Sequence, residues 1–223
     1  MRIIGEVVWP QDPALQRDMR RFESAATVAF DALDSLVVCP YATNRHSAVV
    51  IDAALSTHPV VVERGVASAS SAYVAAARLV EESGPTLLVP GEAARRSFQP
   101  FDVLAAAAFV EGQARLAGVA ERPVQAVVAA ASEVVANAYT HAGSPVEVSA
   151  WAEDFSFVCQ IEDDGAGIDD PTIGYQPPYR GDERWGLWLA RRFSDMIEVG
   201  RGERGTAIRL RASQQLKPFG RKV

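Results

Sequence analysis

The sequence predicts an α/β N-terminal domain followed by an α+β sandwich, and three observations carry that expectation. Strand-like and helix-like patterns alternate over residues 2–63, as in a parallel sheet with crossover helices. A long helix at 123–143 is then followed by two alternating strands that end in a glycine turn, the order of an α+β layer. Between them lies a stretch rich in Ala, Ser, Gly and Pro, which reads as a break in the chain's organisation. The expected boundaries are 1–84, a connector at 85–97, and 98–215.

Taken in order, Arg2-Ile-Ile-Gly-Glu-Val-Val-Trp9 reads as a strand stopped by Pro10. Residues 13–33 form a helical pattern with Leu15, Met19, Phe22, Ala26 and Phe30 on one face. Ser35-Leu-Val-Val-Cys39-Pro40-Tyr41 is a buried strand, Ser47–Leu55 a short helix, and His58-Pro59-Val-Val-Val-Glu63 an extended piece. His58 before proline reads as a helix cap or a core filler. Residues 65–100 read as connector, with one helix near Tyr73–Glu82.

The second half is more sharply patterned. Residues 101–117 form a helix with Asp102 available as N-cap. In the next helix Pro123 suits a first position and Gly143 the left-handed residue past the end. Val127, Val128, Ala131, Val134, Val135 and Ala138 make it apolar, yet Glu133, Asn137 and His141 recur at steps of four and form one polar stripe. Polar groups on a buried helix need partners, which points to a site. Val146–Trp151 and Phe155–Ile161 alternate as strands around Glu153-Asp154. They lead into Asp163-Asp-Gly165-Ala-Gly167-Ile168, where glycines admit positive φ and close approach of a ligand. Asp163 at the strand end is placed to accept from a base amino group; an acidic hairpin turn is the plain alternative. Residues 169–185 are a long Pro-containing loop, 186–199 a helix with Trp188 in the core, and Thr206–Arg211 a final strand.

These segments resemble a family. Glu133-Val-Val-Ala-Asn137-Ala-Tyr-Thr-His141 looks like the N box of the GHKL (Bergerat-fold) ATPases, and Asp163-Asp-Gly165-Ala-Gly167 like their G1 box. Arg184-Trp-Gly186-Leu-Trp-Leu-Ala-Arg-Arg-Phe-Ser-Asp195 looks like the G2 box, and Gly202-Glu-Arg-Gly205-Thr206 like the final Gly-Thr element. Order and spacing agree over roughly 98–212, in the short form of the bacterial anti-sigma factor serine kinases. Arg184 departs from the family's opening Gly-x-Gly; its guanidinium could crowd the phosphates or pair with them. Ahead of this, Gly5-Glu6-Val-Val-Trp9-Pro10, Phe22-Glu23, Cys39-Pro40-Tyr41 and Thr57-His58-Pro59 resemble the later half of the MEDS sensory domain.

The resemblance implies ATP and Mg²⁺ as cofactors. Asn137 would take Mg²⁺ through its amide oxygen, an ion that needs few protein ligands. Glu133 would orient or deprotonate the attacking group, its plain alternative being a surface carboxylate. His141 would reach the phosphates, or else is a cation favoured at a helix C-terminus. Asp163 with Gly165, Gly167 and Ile168 would hold adenine, and Thr206 would support it from the far strand. The amides of Gly186, Leu187 and Trp188 would face the phosphates. Arg180, in the loop, is a γ-phosphate candidate or an ordinary solvated arginine.

Composition narrows the class. With 223 residues, 48% hydrophobic and net charge −6, the chain reads as soluble and argues against direct nucleic-acid binding. No stretch is long and apolar enough to span a membrane and no secretory signal opens the chain, so the expected location is cytoplasmic. Cys39 and Cys159 read as reduced thiols. Two functions stand: an ATP-dependent serine/threonine kinase acting on an anti-anti-sigma (STAS-type) protein and holding a sigma factor, or a non-catalytic GHKL-fold interaction module. A homodimer is compatible with either.

Overall fold

In a computed structural model, the structure describes residues 2–31, 36–153, 155–168, 170, 172–175 and 185–213. The chain divides into two units, Met1–Ser83 with Asp169–Gln176, and Gly84–Ile168 with Pro177–Val223.

The first unit runs β1 (Arg2–Ile4), α1 (Pro13–Asp31), β2 (Leu36–Val38), α2 (Ala48–Thr57), β3 (Val60–Glu63), β4 (Val66–Ala69) and α3 (Ala76–Ser83). β1 and β2 pair in parallel, Ile3 against Val37. They are not extended by β3, which instead forms an antiparallel hairpin with β4. The turn at Arg64-Gly65 explains the hairpin: both residues have positive φ, 50° and 82°, which glycine adopts without a steric penalty. The expected single parallel sheet is therefore replaced by two two-stranded sheets.

Helix α1 also differs from its apolar-face expectation. Leu15 and Phe22 are exposed, while Arg21, Glu23, Ser24 and Ala25 are buried. Buried polar groups need partners, and the neighbouring elements supply them. The Glu23 carboxylate accepts from the Tyr41 hydroxyl and from Thr57 Oγ1 at 3.2 Å. Arg20 Nε donates to Ser56 Oγ at 3.0 Å, and Thr27 Oγ1 to the Thr57 carbonyl at 2.9 Å. Burial and the adjacent Glu23 carboxylate push the Tyr41 hydroxyl's pKa up. His58 caps α2: its N–H donates to the Ala54 carbonyl at 3.1 Å, and its Nδ1 lies 2.9 Å from the same oxygen. Tyr175, a residue of this unit, donates from its hydroxyl to Asp18 Oδ1 at 2.8 Å and sets its ring 6.2 Å from that of Phe22.

The second unit runs β5 (Ala94–Phe98), α4 (Val103–Leu116), α5 (Glu121–His141), β6 (Val146–Glu153), β7 (Ser156–Asp163), α6 (Gly186–Phe193), β8 (Met196–Arg201) and β9 (Thr206–Ser213). Its five strands lie in the order β5-β6-β7-β9-β8, every neighbouring pair antiparallel. Val146, Val148, Phe157, Cys159, Ile161 and Leu210 are buried on one face, under α4 and α5, which themselves bury Val110, Val124, Val127, Val134 and Val135. Each such side chain contributes about 1.5–3 kcal/mol by leaving water. Helix α5 begins at Glu121, so Pro123 falls inside the first turn rather than at its first residue; its missing N–H costs nothing there. Gly143 ends the helix with φ 64°.

The opposite sheet face carries Trp151, Val158, Gln160 and Glu162, and the segment read as connector covers it. Leu87 and Val89 are buried, Val89 in a cluster with Trp151 and Val158. Gln160 Nε2 donates to the Leu87 carbonyl at 2.9 Å, and Arg209 Nη2 to that of Leu88 at 2.8 Å. Gly200 is required because a Cβ there would stand 2.2 Å from the Pro85 carbonyl oxygen. The helix expected over 186–199 stops at Phe193, and Met196–Arg201 is a strand. Ser194 is already extended (ψ 156°), and its Oγ closes the helix on the Ala190 carbonyl at 2.8 Å. Burial of Met196 and Ile197 at the sheet edge then outweighs helical continuation.

Candidate functional site

The polar stripe of α5 has the geometry its spacing implies. Glu133 and Asn137 are half-buried, and His141 is the last residue of the helix and exposed. Among the described residues, none of the three side chains makes a hydrogen bond or ion pair. They are free to engage something else.

Asn137 lies directly against the start of α6. A Cβ built on Gly186 would fall 2.4 Å from Asn137 Nδ2 and 2.6 Å from its Oδ1. Only glycine lets the α6 backbone approach the amide so closely. Gly186 and Leu187 are buried, and the first amides of the helix have no intrahelical acceptor. Trp188 is half-buried rather than in the core: it meets Trp185 edge-on at 5.5 Å, and Arg192 stands 5.5 Å over its ring. Arg180 and Arg184 lie outside the described residues.

The glycine turn follows β7, whose last residue is Asp163. Gly165 N donates to Asp163 Oδ1 at 2.7 Å, and Thr206 is the direct cross-strand partner of Asp163. Burial pushes the Asp163 carboxyl above the usual range, partly offset by the Gly165 amide and the Thr206 hydroxyl. Desolvation dominates here. The two glycines serve different ends. Gly167 has φ 114°, whereas Gly165 needs no positive φ; its Cβ would collide with Asp163 Oδ1 at 2.6 Å. Ile168, half-buried, closes the turn.

One set of residues carried no signal beyond its charge. Glu162, next to Asp163 but on the opposite sheet face, is buried and accepts from Arg204 N at 3.3 Å. Arg204, in the β8–β9 turn, forks onto Asp164. Such pairing across forty positions cannot be read from periodicity.

The donor set fits an adenine nucleotide with Mg²⁺. An amide with no hydrogen-bond partner among the described residues, beside a helix start, offers an oxygen to a hard cation, and a half-buried carboxylate flanked by a hydroxyl and a glycine cradle offers an acceptor to an amino group. Among the described residues no group of three or more His, Cys, Asp or Glu could hold a metal; the Asn137 amide oxygen is placed where it could take one position of a water-rich Mg²⁺ site. No helix among the described residues is long and apolar enough to cross a membrane. Cys39 and Cys159 are free, and burial pushes the Cys159 thiol up to about 12.

Two known families match the chain. Residues 97–212 match the histidine kinase-like ATPase domain, and residues 1–59 match MEDS, the methanogen/methylotroph DcmR sensory domain. The first match spans more than half the chain, which belongs to the histidine kinase-like ATPase family. No curated protein matches it.

Proposed function

We propose that the protein is an ATP-dependent regulatory kinase of the anti-sigma factor type. It phosphorylates a serine or threonine on an anti-anti-sigma (STAS-type) partner and thereby controls a sigma factor's availability in the cytoplasm. The observation that carries this reading is Asn137 seated against Gly186, with Glu133 one turn earlier and both side chains unengaged. Bound ATP supplies the transferable phosphoryl group, and Mg²⁺ offsets its charge. Asn137 holds the ion, the α6 amides face the phosphates, and Asp163 with Thr206 orients adenine. The partner's hydroxyl oxygen forms the new bond to the γ-phosphorus while the bond to the β-phosphate oxygen breaks. Glu133 takes the hydroxyl proton.

The test is calorimetric titration with ATP, with and without Mg²⁺, followed by transfer of labelled γ-phosphate to purified STAS-domain proteins. Mg²⁺-dependent binding and labelling of a STAS serine or threonine are expected. Binding without transfer would leave a non-catalytic GHKL-fold interaction module as the better reading.

A further inference from the structure

The turn that presents Asp163 is glycine-rich, and its own hydrogen bonds are few. It is held from outside. Arg204 donates from Nε to Asp164 Oδ1 at 3.0 Å and from Nη2 to Oδ2 at 2.9 Å, a bidentate fork. The same Nη2 reaches the Pro145 carbonyl at 3.4 Å, and the Arg204 amide donates to buried Glu162 at 3.3 Å. Asp164 N in turn donates to Ser144 Oγ at 3.4 Å.

The backbones are as close as glycine allows. A Cβ on Gly205 would lie 2.6 Å from the Asp163 carbonyl oxygen and 2.8 Å from that of Gly165. A Cβ on Gly202 would lie 2.3 Å from the Glu162 carboxylate. The β8–β9 turn therefore rests directly on the backbone of 163–165. It leads directly into Thr206, the first residue of β9 and the cross-strand neighbour of Asp163.

We infer that Arg204 is a positioning residue for the base pocket: by gripping Asp164 it sets the angle at which Asp163 presents its carboxylate and keeps Thr206 beside it. Asp164 follows Asp163 directly, so rotation of its peptide turns the Asp163 side chain. Four glycines, at 165, 167, 202 and 205, soften the backbone there, so the fork adds to the restraint that the Gly165 amide and the pairing with Thr206 already give. Arg204 acts through Asp164: its hydrogen bonds run to Asp164, Pro145 and Glu162. This role deepens the adenine assignment for Asp163 and rests on it.

The experiment measures MgATP and MgGTP affinities on the full chain by calorimetry, with thermal melts in parallel. Variants are Asp164→Ala, Arg204→Ala, the double alanine, Arg204→Lys, and the swapped pair Asp164→Arg with Arg204→Asp. Each single alanine is expected to weaken MgATP binding about two- to fivefold, as loss of a partly exposed ion pair does. The ATP-over-GTP ratio should fall with it while the melting temperature holds. The double alanine should be no worse than the weaker single, and the swapped pair should recover part of the ratio. Unchanged affinity and selectivity, or additive singles, in a chain that binds MgATP would overturn the positioning role and leave the adenine site standing. If the parent chain binds no MgATP, the adenine assignment falls and this role falls with it.

Discussion

The helix-covered sheet face of the second unit and the inward face of α1 in the first bury different kinds of side chain, although the second unit's other sheet face also buries Gln160 and Glu162. In the second, the covered sheet face is Val, Phe, Ile, Leu and Cys, most of them inaccessible to solvent. In the first, α1 turns Arg21, Glu23 and Ser24 inward and leaves Phe22 47% exposed. An apolar layer tolerates small shifts because the hydrophobic effect has no direction. A buried carboxylate does not, since losing one donor leaves an unmet charge. The second unit should therefore survive point changes that touch only its site, and the first should be sensitive at single polar positions.

The sharpest separation of site from scaffold is expected at Asn137→Ala. It should abolish Mg²⁺-dependent ATP binding while the melting temperature stays put, because the side chain is half-buried and, among the described residues, leaves no hydrogen-bond partner behind. Equal ATP affinity for variant and parent by calorimetry would break the assignment.

Asp163→Asn should weaken ATP binding about tenfold to a hundredfold, the loss of a charged hydrogen bond, and narrow the preference over GTP. The sign for stability is opposite. Burial raises this carboxyl's pKa, so its contribution to folding is full below the unfolded value, about 3.9, and lost as pH rises through the folded one. At neutral pH the ionised group weakens the fold, and the asparagine variant should melt no lower than the parent. A lower melting temperature would mean that the carboxylate is structural.

In the first unit, Glu23→Ala should cost about 1–3 kcal/mol, because the Tyr41 hydroxyl and Thr57 lose their shared acceptor. Urea unfolding followed by Trp fluorescence measures it. A loss under half that size would mean that water replaces the carboxylate and that the contrast between the units is weaker than drawn. Tyr175→Phe, which removes the hydroxyl that donates to Asp18, should cost about 0.5–1.5 kcal/mol in the same assay.

The smallest effect concerns the thiols. Cys159 is fully buried and its thiol is pushed up to about 12, whereas Cys39 is half-buried with a smaller upward push from burial and Glu23. Alkylation of the native protein near pH 8 should label Cys39 slowly and Cys159 only on unfolding. Mass spectrometry of timed samples would show whether the order reverses.

Legibility followed the same divide. The Glu133–Asn137–His141 stripe, the two strands after it, the end of β7 at Asp163 and the helix stop at Gly143 could be read because each obeys a local rule: a period of four, a period of two, or a residue suited to positive φ. The inward face of α1 could not, because its polar residues are buried only where Tyr41, Ser56 and Thr57 meet them. Strand β8 reads as helix in the sequence because residues 196–199 show no clean alternation, and its strand form depends on pairing with β9.

Residue types and spacing alone determine the family, the polar stripe and the glycine turns, since backbone sterics and helix period act within a few residues. Tertiary structure decides the rest. It lays 84–93 across the sheet, where Gly200 admits the Pro85 carbonyl, brings the Asn137 amide onto Gly186, and joins Arg204 to Asp164. Each of these is a contact between segments far apart in the chain, specified by which surfaces meet rather than by any repeat along it.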